Sequence, residues 1–383
     1  MDENYLTTME EKYTFVSNAE KLKRRFAKGR NIGRGGNGKI YRAYVDSKIY
    51  TLKVLRFNNQ DVVEKDNEVV ILSEILHKNI RKVAGVCPTT NSIMLEYCEG
   101  GDLKSLINQA PNIPIYIIIK WAIDIAKALY YLHSLNVIHL DVKAENVLIK
   151  EKPCLCHIEE INLKSYDSIC KECEGTRLDQ ITLKLSDFGL SVRLSTDTYI
   201  SKALKGTIPW MSPECINGTV STKSDVWSFG VFLWELLTGE EPYEGQNLCA
   251  VMYEIGCNNL RLEIPEELPI ELSRILNKCW EIDTSQRTTM KEVAFELAYF
   301  LKSLNSREHM QSKKLSDAIK SKISISSGKY ENNTSVTIDA IKSKISISSG
   351  KYENNTSVTI ETVQEIEKSS LSKKGFKKYL CWM

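Results

Sequence analysis

The stretch VIHLDVKAENVLI, residues 137–149, decides how the rest of the chain is interpreted. Between two apolar runs it places four chemically active side chains, which are His139, Asp141, Lys143 and Asn146. A short polar loop between apolar segments is typical of a catalytic loop, because a rigid scaffold on either side positions it. Whether this loop belongs to a working active site depends on motifs elsewhere in the chain.

A glycine-rich stretch, IGRGGNGKI at 32–40, lies well before that loop. It spaces Gly33, Gly35 and Gly38 in the pattern GxGxxG, which alone is weak evidence because any tight turn favours glycine. A dinucleotide-binding fold would continue into a helix, whereas here a strand pattern runs from Lys39 to Val45. The stretch therefore predicts a hairpin that covers nucleotide phosphates.

The apolar strand pattern YTLKVL, residues 50–55, contains one cation, Lys53. Taken alone, Lys53 could simply extend from a strand end into water. Glu68 begins a helical pattern that could carry a carboxylate back to that strand, so the pair could hold phosphates. An extended apolar run ending in a turn, SIMLEYCEGGDL at 92–103, comes next, and KLSDFGL at 184–190 follows the loop that contains Asp141.

Taken in this order, the motifs resemble those of a eukaryotic-type protein kinase over residues 25–302. The resemblance implies an α+β, two-lobed fold with a small β-rich N-lobe, a larger α-helical C-lobe and ATP in the cleft. It also implies an N-terminal arm at 1–24, an insert at about 151–180 between Asn146 and Asp187, and a tail at 303–383.

The resemblance assigns a role to each motif. Asp141 would orient the substrate hydroxyl and accept its proton, and Lys143 would contact the transferred phosphoryl. Asn146 and Asp187 would hold Mg²⁺, a hard cation that prefers oxygen ligands. Lys53 would pair with Glu68, and both would belong to the catalytic site. The residues that would bind the nucleotide are Ile32, Gly33, Gly35, Gly38, Ile40, Lys53, Glu96, Cys98, Asp102 and Leu148.

The C-terminal half agrees with a kinase. GTIPWMSPEC, residues 206–215, resembles the family's substrate-docking turn, so that Glu214 would pair with Arg287 and Asp225 would anchor the catalytic loop. The PWM turn and a Cys279-Trp280 pair resemble the tyrosine-kinase-like group of serine/threonine kinases, with its mixed-lineage and Raf relatives. Lys143 and Thr207 match the serine/threonine pattern, and dual specificity is the alternative.

Leu140 stands where the family usually has an arginine that gathers phosphate on the activation loop. Leucine has neither charge nor hydrogen-bond donors, so one regulatory input is predicted to be lost while catalysis is retained. The alternative from another functional class is a pseudokinase scaffold that transfers no phosphate. The intact Lys53, Asp141, Asn146 and Asp187 argue against it.

The insert carries CLCH, with Cys154, Cys156 and His157, and CKEC, with Cys170 and Cys173. Paired cysteines at both ends of a loop are spaced to close a small tetrahedral Zn²⁺ site that would tether the insert. The alternative is a surface loop with reduced thiols.

Composition predicts that the protein resides in a reducing compartment. The chain has 383 residues and 11 cysteines, an odd number, without an apolar segment at its beginning, which argues against secretion and predicts a cytoplasmic location. The most apolar stretch, residues 113–132, is interrupted by Lys120, Asp124 and Lys127. Because these charges share one helical face, the stretch predicts a buried amphipathic helix and not a transmembrane segment.

The tail is basic and repetitive. Residues 317–338 recur unchanged at 339–360, and few large apolar residues are available there for a core, so we expect disorder. The final stretch, 370–383, mixes lysines with aromatic residues and offers a weak basis for contact with an anionic membrane surface, the alternative being a solvated tail. The expected partners are protein substrates and not nucleic acid, since the tail lacks an ordered aromatic platform.

Overall fold

The computed structural model describes residues 31–35, 38–45, 48–55, 71–87, 92–110, 112–156, 169–201 and 204–304. The described residues up to 298 belong to one compact unit. Glu68, His157, the arm at 1–24 and both copies of the tail repeat lie outside the described residues.

A five-stranded antiparallel sheet forms the amino-terminal lobe. Its strands are β1 (Asn31–Gly35), β2 (Gly38–Val45), β3 (Lys48–Leu55), β4 (Val83–Cys87) and β5 (Ser92–Glu96). They lie side by side in the order β1-β2-β3-β5-β4. As predicted, a strand and not a helix follows the glycines, and Gly35 lies opposite Gly38 across the hairpin. Ile40 on β2 lies opposite Lys53 on β3, which places the predicted cation in the middle of the sheet.

Helices dominate the carboxy-terminal lobe. They are α1 (Leu103–Gln109), α2 (Ile115–Ser134), α3 (Pro213–Ile216), α4 (Thr222–Thr238), α5 (Leu248–Asn258), α6 (Ile270–Cys279) and α7, which spans 290–304. Together with the sheet they confirm the predicted α+β fold, with a small strand-rich lobe and a larger helical lobe.

Helix α2 contains the most apolar stretch of the sequence. Its apolar side chains are buried, whereas Lys127 is exposed and Lys120 and Asp124 are half-buried, as the periodicity predicts. The Trp121 indole N–H donates to the carbonyl of Leu178 at 3.2 Å, which joins α2 to the end of the insert. Among the described residues, none of the helices combines the length and the apolar character needed to cross a membrane.

Helix α4 forms the centre of the helical lobe, and nearly all of it is buried. A reciprocal capping box between Ser221 and Ser224 begins the helix, and Gly239 in the left-handed conformation (φ 71°) ends it. At Gly230 an added Cβ would lie 2.6 Å from the Trp280 indole nitrogen. A glycine is therefore needed there for α4 to approach the residue that ends α6.

Three two-stranded sheets shape the active-site side of this lobe. They pair β6 (Val137–Ile138) with β9 (Val192–Arg193), β7 (Val147–Ile149) with β8 (Leu183–Leu185), and β10 (Tyr199–Ile200) with β11 (Thr219–Val220). The loop at 139–146 lies between β6 and β7 and ends in a 3₁₀ turn, Ala144–Asn146. Because Ser186 donates its N–H to the carbonyl of Asn146 at 2.8 Å, the end of this loop lies beside Asp187.

Candidate active site

Lys53 and Asp187 form an ion pair between the two lobes, with 2.9 Å between Nζ and Oδ1. Lys53 is buried in β3, and Asp187 follows β8. Desolvation raises the pKa of Asp187, but the charge and hydrogen bond of Lys53 outweigh it and hold that pKa below its usual range. The carboxylate is therefore ionised at neutral pH, as a ligand for a divalent cation must be.

The backbone of Asp187 adopts φ 60°, in the left-handed region. Few non-glycine residues adopt this conformation, and Asp is among the better tolerated. Such conformations cost free energy and persist where the surrounding structure imposes them. Here the next residue, Phe188, is buried and packs edge-to-face on the His139 ring, with 4.9 Å between ring centroids.

Asp141 lies at the centre of a hydrogen-bond network. The Asn146 side-chain amide donates to Asp141 Oδ2 at 2.6 Å and to the Asp141 carbonyl at 2.8 Å. The Thr207 hydroxyl donates to Asp141 Oδ1 at 2.6 Å, and Lys143 Nζ donates to that hydroxyl at 2.6 Å. The structure thus brings Asp141, Lys143, Asn146 and Thr207 together and fixes both oxygens of the carboxylate.

Asp225 on α4 anchors the start of the catalytic loop from below. The backbone N–H groups of His139 and Leu140 donate to its two carboxylate oxygens, each at 2.9 Å. Asp225 is fully buried, and the His133 ring lies 2.9 Å from Oδ2. A buried carboxylate that receives two backbone hydrogen bonds is well satisfied, so it holds the loop rigidly.

A second buried carboxylate, Glu235, supports the same loop and was missed in the sequence. Its Oε1 accepts from Lys104 Nζ at 2.8 Å, and its Oε2 accepts from the Ala144 N–H at 3.3 Å. Burial raises the pKa of Glu235, and Lys104 opposes that rise. The available signal was an acidic residue in the otherwise apolar α4 stretch VWSFGVFLWELL, residues 226–237.

Leu140 is buried, with φ 66°, and belongs to an apolar cluster. We call this set the Leu140 cluster; its buried members are Ile138, Leu140, Val192, Leu194, Met211, Cys215 and Val220. Residues 187–214 correspond to the activation segment of the kinases that the sequence resembles. Four members of the cluster lie in or beside this segment, namely Val192, Leu194, Met211 and Cys215. An apolar contact therefore lies where members of the family usually have a phosphate-binding arginine.

The nucleotide-facing predictions fall on the sheet and on the segment after β5. Strand β1 contains Ile32, Gly33 and Gly35, strand β2 contains Gly38 and Ile40, and strand β7 contains Leu148. Burial raises the pKa of Cys98 to about 11, so its thiol is neutral. The Glu96 carboxylate pairs with Lys184 at 3.0 Å, and its carbonyl accepts from Arg81 Nε at 2.9 Å. Because a carbonyl oxygen has two lone pairs, the bond from Arg81 does not by itself exclude a second donor there.

Asp102 has a structural partner that the sequence did not reveal. Its carboxylate accepts from the Ser105 N–H at 2.7 Å and from the Ser105 hydroxyl at 2.8 Å, which makes it the N-cap of α1. A ribose would have to share this carboxylate with the helix cap. Each oxygen retains further acceptor capacity, so the two roles are compatible.

Arg287 and Glu214 form a bidentate ion pair, with 2.6 Å between Nη1 and Oε1 and 3.0 Å between Nη2 and Oε2. The Arg287 side chain is fully buried and lies over the Trp227 ring, 5.2 Å from its centroid. The pair ties the end of the segment 187–214 to the core of the helical lobe, as the sequence motifs predicted.

The two ends of the insert meet at its cysteines. The ligand sulfurs of Cys154, Cys156, Cys170 and Cys173 all lie within 4.8 Å of one another. The structure therefore brings together the four residues that sequence spacing nominated. His157 of the same motif lies outside the described residues, as does Glu68, the proposed partner of Lys53.

Comparison with known proteins places this geometry in context. The family model described as protein tyrosine and serine/threonine kinase matches residues 26–297. A mitogen-activated protein kinase kinase kinase of Drosophila melanogaster is 36% identical over 276 residues, 70% of this chain and 22% of the relative. The Caenorhabditis elegans mitogen-activated protein kinase kinase kinase mlk-1 is 32% identical over 294 residues, 72% of this chain and 27% of that protein.

A third relative, mitogen-activated protein kinase kinase kinase 10 of Xenopus laevis, is 35% identical over 277 residues, which is 70% of this chain and 25% of the relative. In each comparison the aligned region spans about a quarter of the relative's own length. The similarity therefore concerns one domain of those larger proteins.

Proposed function

Because the chain belongs to the protein tyrosine and serine/threonine kinase family, we propose that it is an active protein serine/threonine kinase. It transfers the γ-phosphoryl group of ATP to Ser and Thr hydroxyls of protein substrates. The observation that carries this proposal is the hydrogen-bonded set of Asp141, Lys143, Asn146 and Thr207. Phosphoryl transfer is mostly a matter of positioning and charge neutralisation, and this set provides both.

The nucleotide site has the donor set that ATP with Mg²⁺ requires. Asn146 donates its amide N–H group to Asp141, which leaves its Oδ1 free to face a cation. Asp187 Oδ1 pairs with Lys53, and the carboxylate, which also accepts from the backbone N–H of Gly189, has lone pairs left for a cation. Two hard oxygen atoms therefore remain for Mg²⁺, which when bound would neutralise charge on the phosphates. Lys53 would contact those phosphates from β3.

In the catalytic loop each residue has a distinct task. Asp141 would accept the proton of the attacking hydroxyl, and its two hydrogen-bond donors, Asn146 and Thr207, hold the carboxylate in one orientation. Lys143 Nζ lies 3.5 Å from Asp141 Oδ2. From there its ammonium group would stabilise negative charge on the transferred phosphoryl.

The specificity proposal rests on Thr207 and Lys143. Their hydrogen bond closes the loop around Asp141 in the arrangement expected from the serine/threonine pattern. A dual-specificity kinase is the alternative that keeps this geometry, and a pseudokinase scaffold is the alternative from another class. The scaffold is disfavoured because the ion pair, the base and the two metal-facing side chains are all present.

The relatives suggest a substrate class. Proteins named mitogen-activated protein kinase kinase kinases act on protein kinases that are themselves kinase kinases. We assign the same class to this chain, so that its substrates are other protein kinases. Cysteine usage favours the cytoplasm, since the described cysteines are free thiols. Phosphoryl transfer needs no further metal, so Zn²⁺ in the insert would serve the structure. The tail's proposed membrane contact lies outside the described residues.

The proposal is tested by phosphate transfer from radiolabelled ATP to a catalytically inactive kinase kinase. The wild-type chain is compared with Asp187→Asn and with a matched control, Asp197→Asn, an exposed carboxylate in the same segment. We expect phosphoserine and phosphothreonine with the wild type and the control, and none with Asp187→Asn. A wild-type protein that binds ATP without transferring phosphate would establish the scaffold. Equal labelling by all three proteins would contradict the role assigned to Asp187. Phosphotyrosine beside phosphoserine would establish dual specificity.

A further inference from the structure

Four cysteine sulfurs converge at the base of the insert, all within 4.8 Å of one another. A tetrahedral site with Zn–S bonds of about 2.3 Å places its sulfurs about 3.8 Å apart, which this cluster accommodates. We propose that Cys154, Cys156, Cys170 and Cys173 bind one Zn²⁺ as a closed tetrathiolate site. This site lies outside the phosphoryl-transfer machinery and does not depend on the proposed kinase activity.

The backbone around the cysteines is regular on both sides. Cys154 donates its N–H to the carbonyl of Thr176, and Thr176 donates to the carbonyl of Lys152, each at 2.7 Å. Cys170 donates to the carbonyl of Gly175 at 2.8 Å. The outgoing and returning chains are therefore paired through Thr176, which forms bridges to both Pro153 and Ile169. The thiols are thus presented by hydrogen-bonded backbone, as a preorganised metal site requires.

The return chain makes a tight turn around its two sulfurs. Glu174 adopts φ 56° and donates its N–H to the carbonyl of Cys170 at 2.9 Å. The Gly175 N–H then points at Cys173 Sγ, 3.4 Å away. Hydrogen bonds from backbone N–H groups stabilise a metal-bound thiolate by sharing its negative charge. A Cβ on Gly175 would lie 2.9 Å from the Pro153 carbonyl, so this position needs a glycine.

A cation beside the cluster is favourable for an anionic site. Zn²⁺ with four thiolates carries a net charge of about −2. The Lys152 ammonium donates to the carbonyl of Cys173 at 2.9 Å, so a cation lies directly beside the return chain. Neighbouring groups of this kind orient metal ligands and balance their charge.

Disulfide formation is the competing use of four neighbouring thiols. All four cysteines are free in the structure, and one cross-link between the chains would need only two of them. Four sulfurs converging from both chains on one point are accounted for together by a tetrahedral metal, which uses every one. Because four protein ligands leave no open coordination position, the site would be structural and not catalytic.

The consequence for the fold is a closed insert. The pairing of β7 with β8 extends to Lys150, which donates its N–H to the carbonyl of Thr182 at 3.0 Å, and Thr182 donates to the Glu151 carboxylate at 2.7 Å. The chains pair again beside the cluster, where Thr176 donates to the carbonyl of Lys152. Zn²⁺ would close the insert at the end of this ladder. Metal binding would then contribute directly to the stability of the insert.

The first test is the metal content of the whole chain, purified under reducing, chelator-free conditions with any affinity tag removed. We expect about one zinc per wild-type chain. Cys170→Ser with Cys173→Ser should lose it, and the single variant Cys156→Ser, at an exposed ligand, should hold it at least tenfold more weakly. The matched control is Cys249→Ser with Cys257→Ser, two exposed cysteines of α5, which should keep the zinc.

The second test uses Co²⁺ in place of zinc, with kinase activity followed separately. Four thiolates should give the strong visible absorption of tetrahedral Co²⁺, which the double variant should lack. Wild-type protein without zinc would overturn the proposal, whether its four thiols react freely or mass spectrometry finds them as disulfides. Zinc retained in full by Cys170→Ser with Cys173→Ser would overturn it as well. If the wild-type protein contains zinc but transfers no phosphate, only the kinase proposal is contradicted.

Discussion

The Thr207 hydroxyl donates a 2.6 Å hydrogen bond to Oδ1 of Asp141, and this bond fixes the orientation of the proposed catalytic base. Thr207 belongs to the substrate-docking turn at 206–215, and Asp141 belongs to the loop between β6 and β7. The relationship therefore links the base to the position of the whole segment. Lys143 donates to the same hydroxyl, so loss of the hydroxyl would affect both charged groups.

The first prediction replaces this hydroxyl. Thr207→Val preserves the shape of the side chain and removes the hydrogen bonds. A hydrogen bond to a charged group contributes about 2 kcal/mol, so kcat should fall roughly thirtyfold. The KM for ATP should change little, since the hydroxyl contacts no proposed nucleotide ligand. Thr207→Ser keeps the hydroxyl and serves as the control, with kcat near that of the wild type in steady-state assays. Equal kcat for the Val and Ser variants would contradict the role of Thr207.

The second prediction concerns the groups nearest the reacting phosphate. Lys53→Met and Asp141→Asn should each lower kcat/KM by a hundredfold or more, because removing one such interaction costs about 3 kcal/mol of transition-state stabilisation. Lys48→Met, at an exposed lysine of the same strand, is the control for Lys53 and should retain activity. Thermal unfolding checks that the folds remain intact. Near-wild-type turnover in Asp141→Asn would remove Asp141 from its assignment.

Much of the kinase fold and site could be predicted because the chemistry constrains residue type and spacing together. Each of Lys53, Asp141, Asn146 and Asp187 carries a charge or a donor for which few other side chains substitute, and all four lie within the stretch that the family model matches. Their mutual distances needed the structure. The same holds for the insert, where paired cysteines predicted a common site but not the backbone ladder that aligns them.

What the sequence did not reveal are contacts made between distant buried positions. Glu235 and Lys104 are 131 positions apart, and only the fold shows that they support the loop at Ala144. The Leu140 cluster draws its members from several elements, and apolar letters in a sequence do not identify their partners. At Asp102 the sequence predicted a contact with the nucleotide but did not reveal the structural role, since the Asp102 carboxylate caps the N-terminus of α1.

The third prediction tests the buried ion pair. Arg287→Ala should lower the free energy of unfolding by about 3 to 5 kcal/mol, because it leaves the half-buried Glu214 carboxylate without its bidentate partner. Arg274→Ala is the control, since Arg274 is exposed and its ion pair with Glu296 is long, at 3.7 Å. Arg274→Ala should lower the free energy of unfolding by less than about 1 kcal/mol. Urea denaturation of the two variants measures the difference, and equal midpoints would contradict the architectural role of Arg287.

The last prediction concerns the activation segment and Leu140. Phosphate added to Ser191, Ser195, Thr196, Thr198, Tyr199 or Ser201 would find no arginine fixed at position 140. The described part of the segment is instead tied down by β-pairing at Val192 and by the Leu140 cluster, which need no modification. We therefore expect activity to depend little on phosphorylation of this segment. Complete phosphatase treatment, with phosphosites mapped by mass spectrometry, should change turnover less than about tenfold, which corresponds to about 1.4 kcal/mol.

The same argument predicts what happens when the cluster is weakened. Leu140→Ala keeps the backbone hydrogen bond to Asp225 but removes the apolar side chain from the cluster. Truncating a buried leucine costs about 2 to 5 kcal/mol, so the segment should become easier to cleave by protease and turnover should fall. Leu76→Ala, at an exposed leucine, is the control and should change neither.

A tenfold loss of wild-type turnover on removing one phosphate between Ser191 and Ser201 would show that another cation anchors the segment. Unchanged protease sensitivity in Leu140→Ala would show that the cluster does not order it.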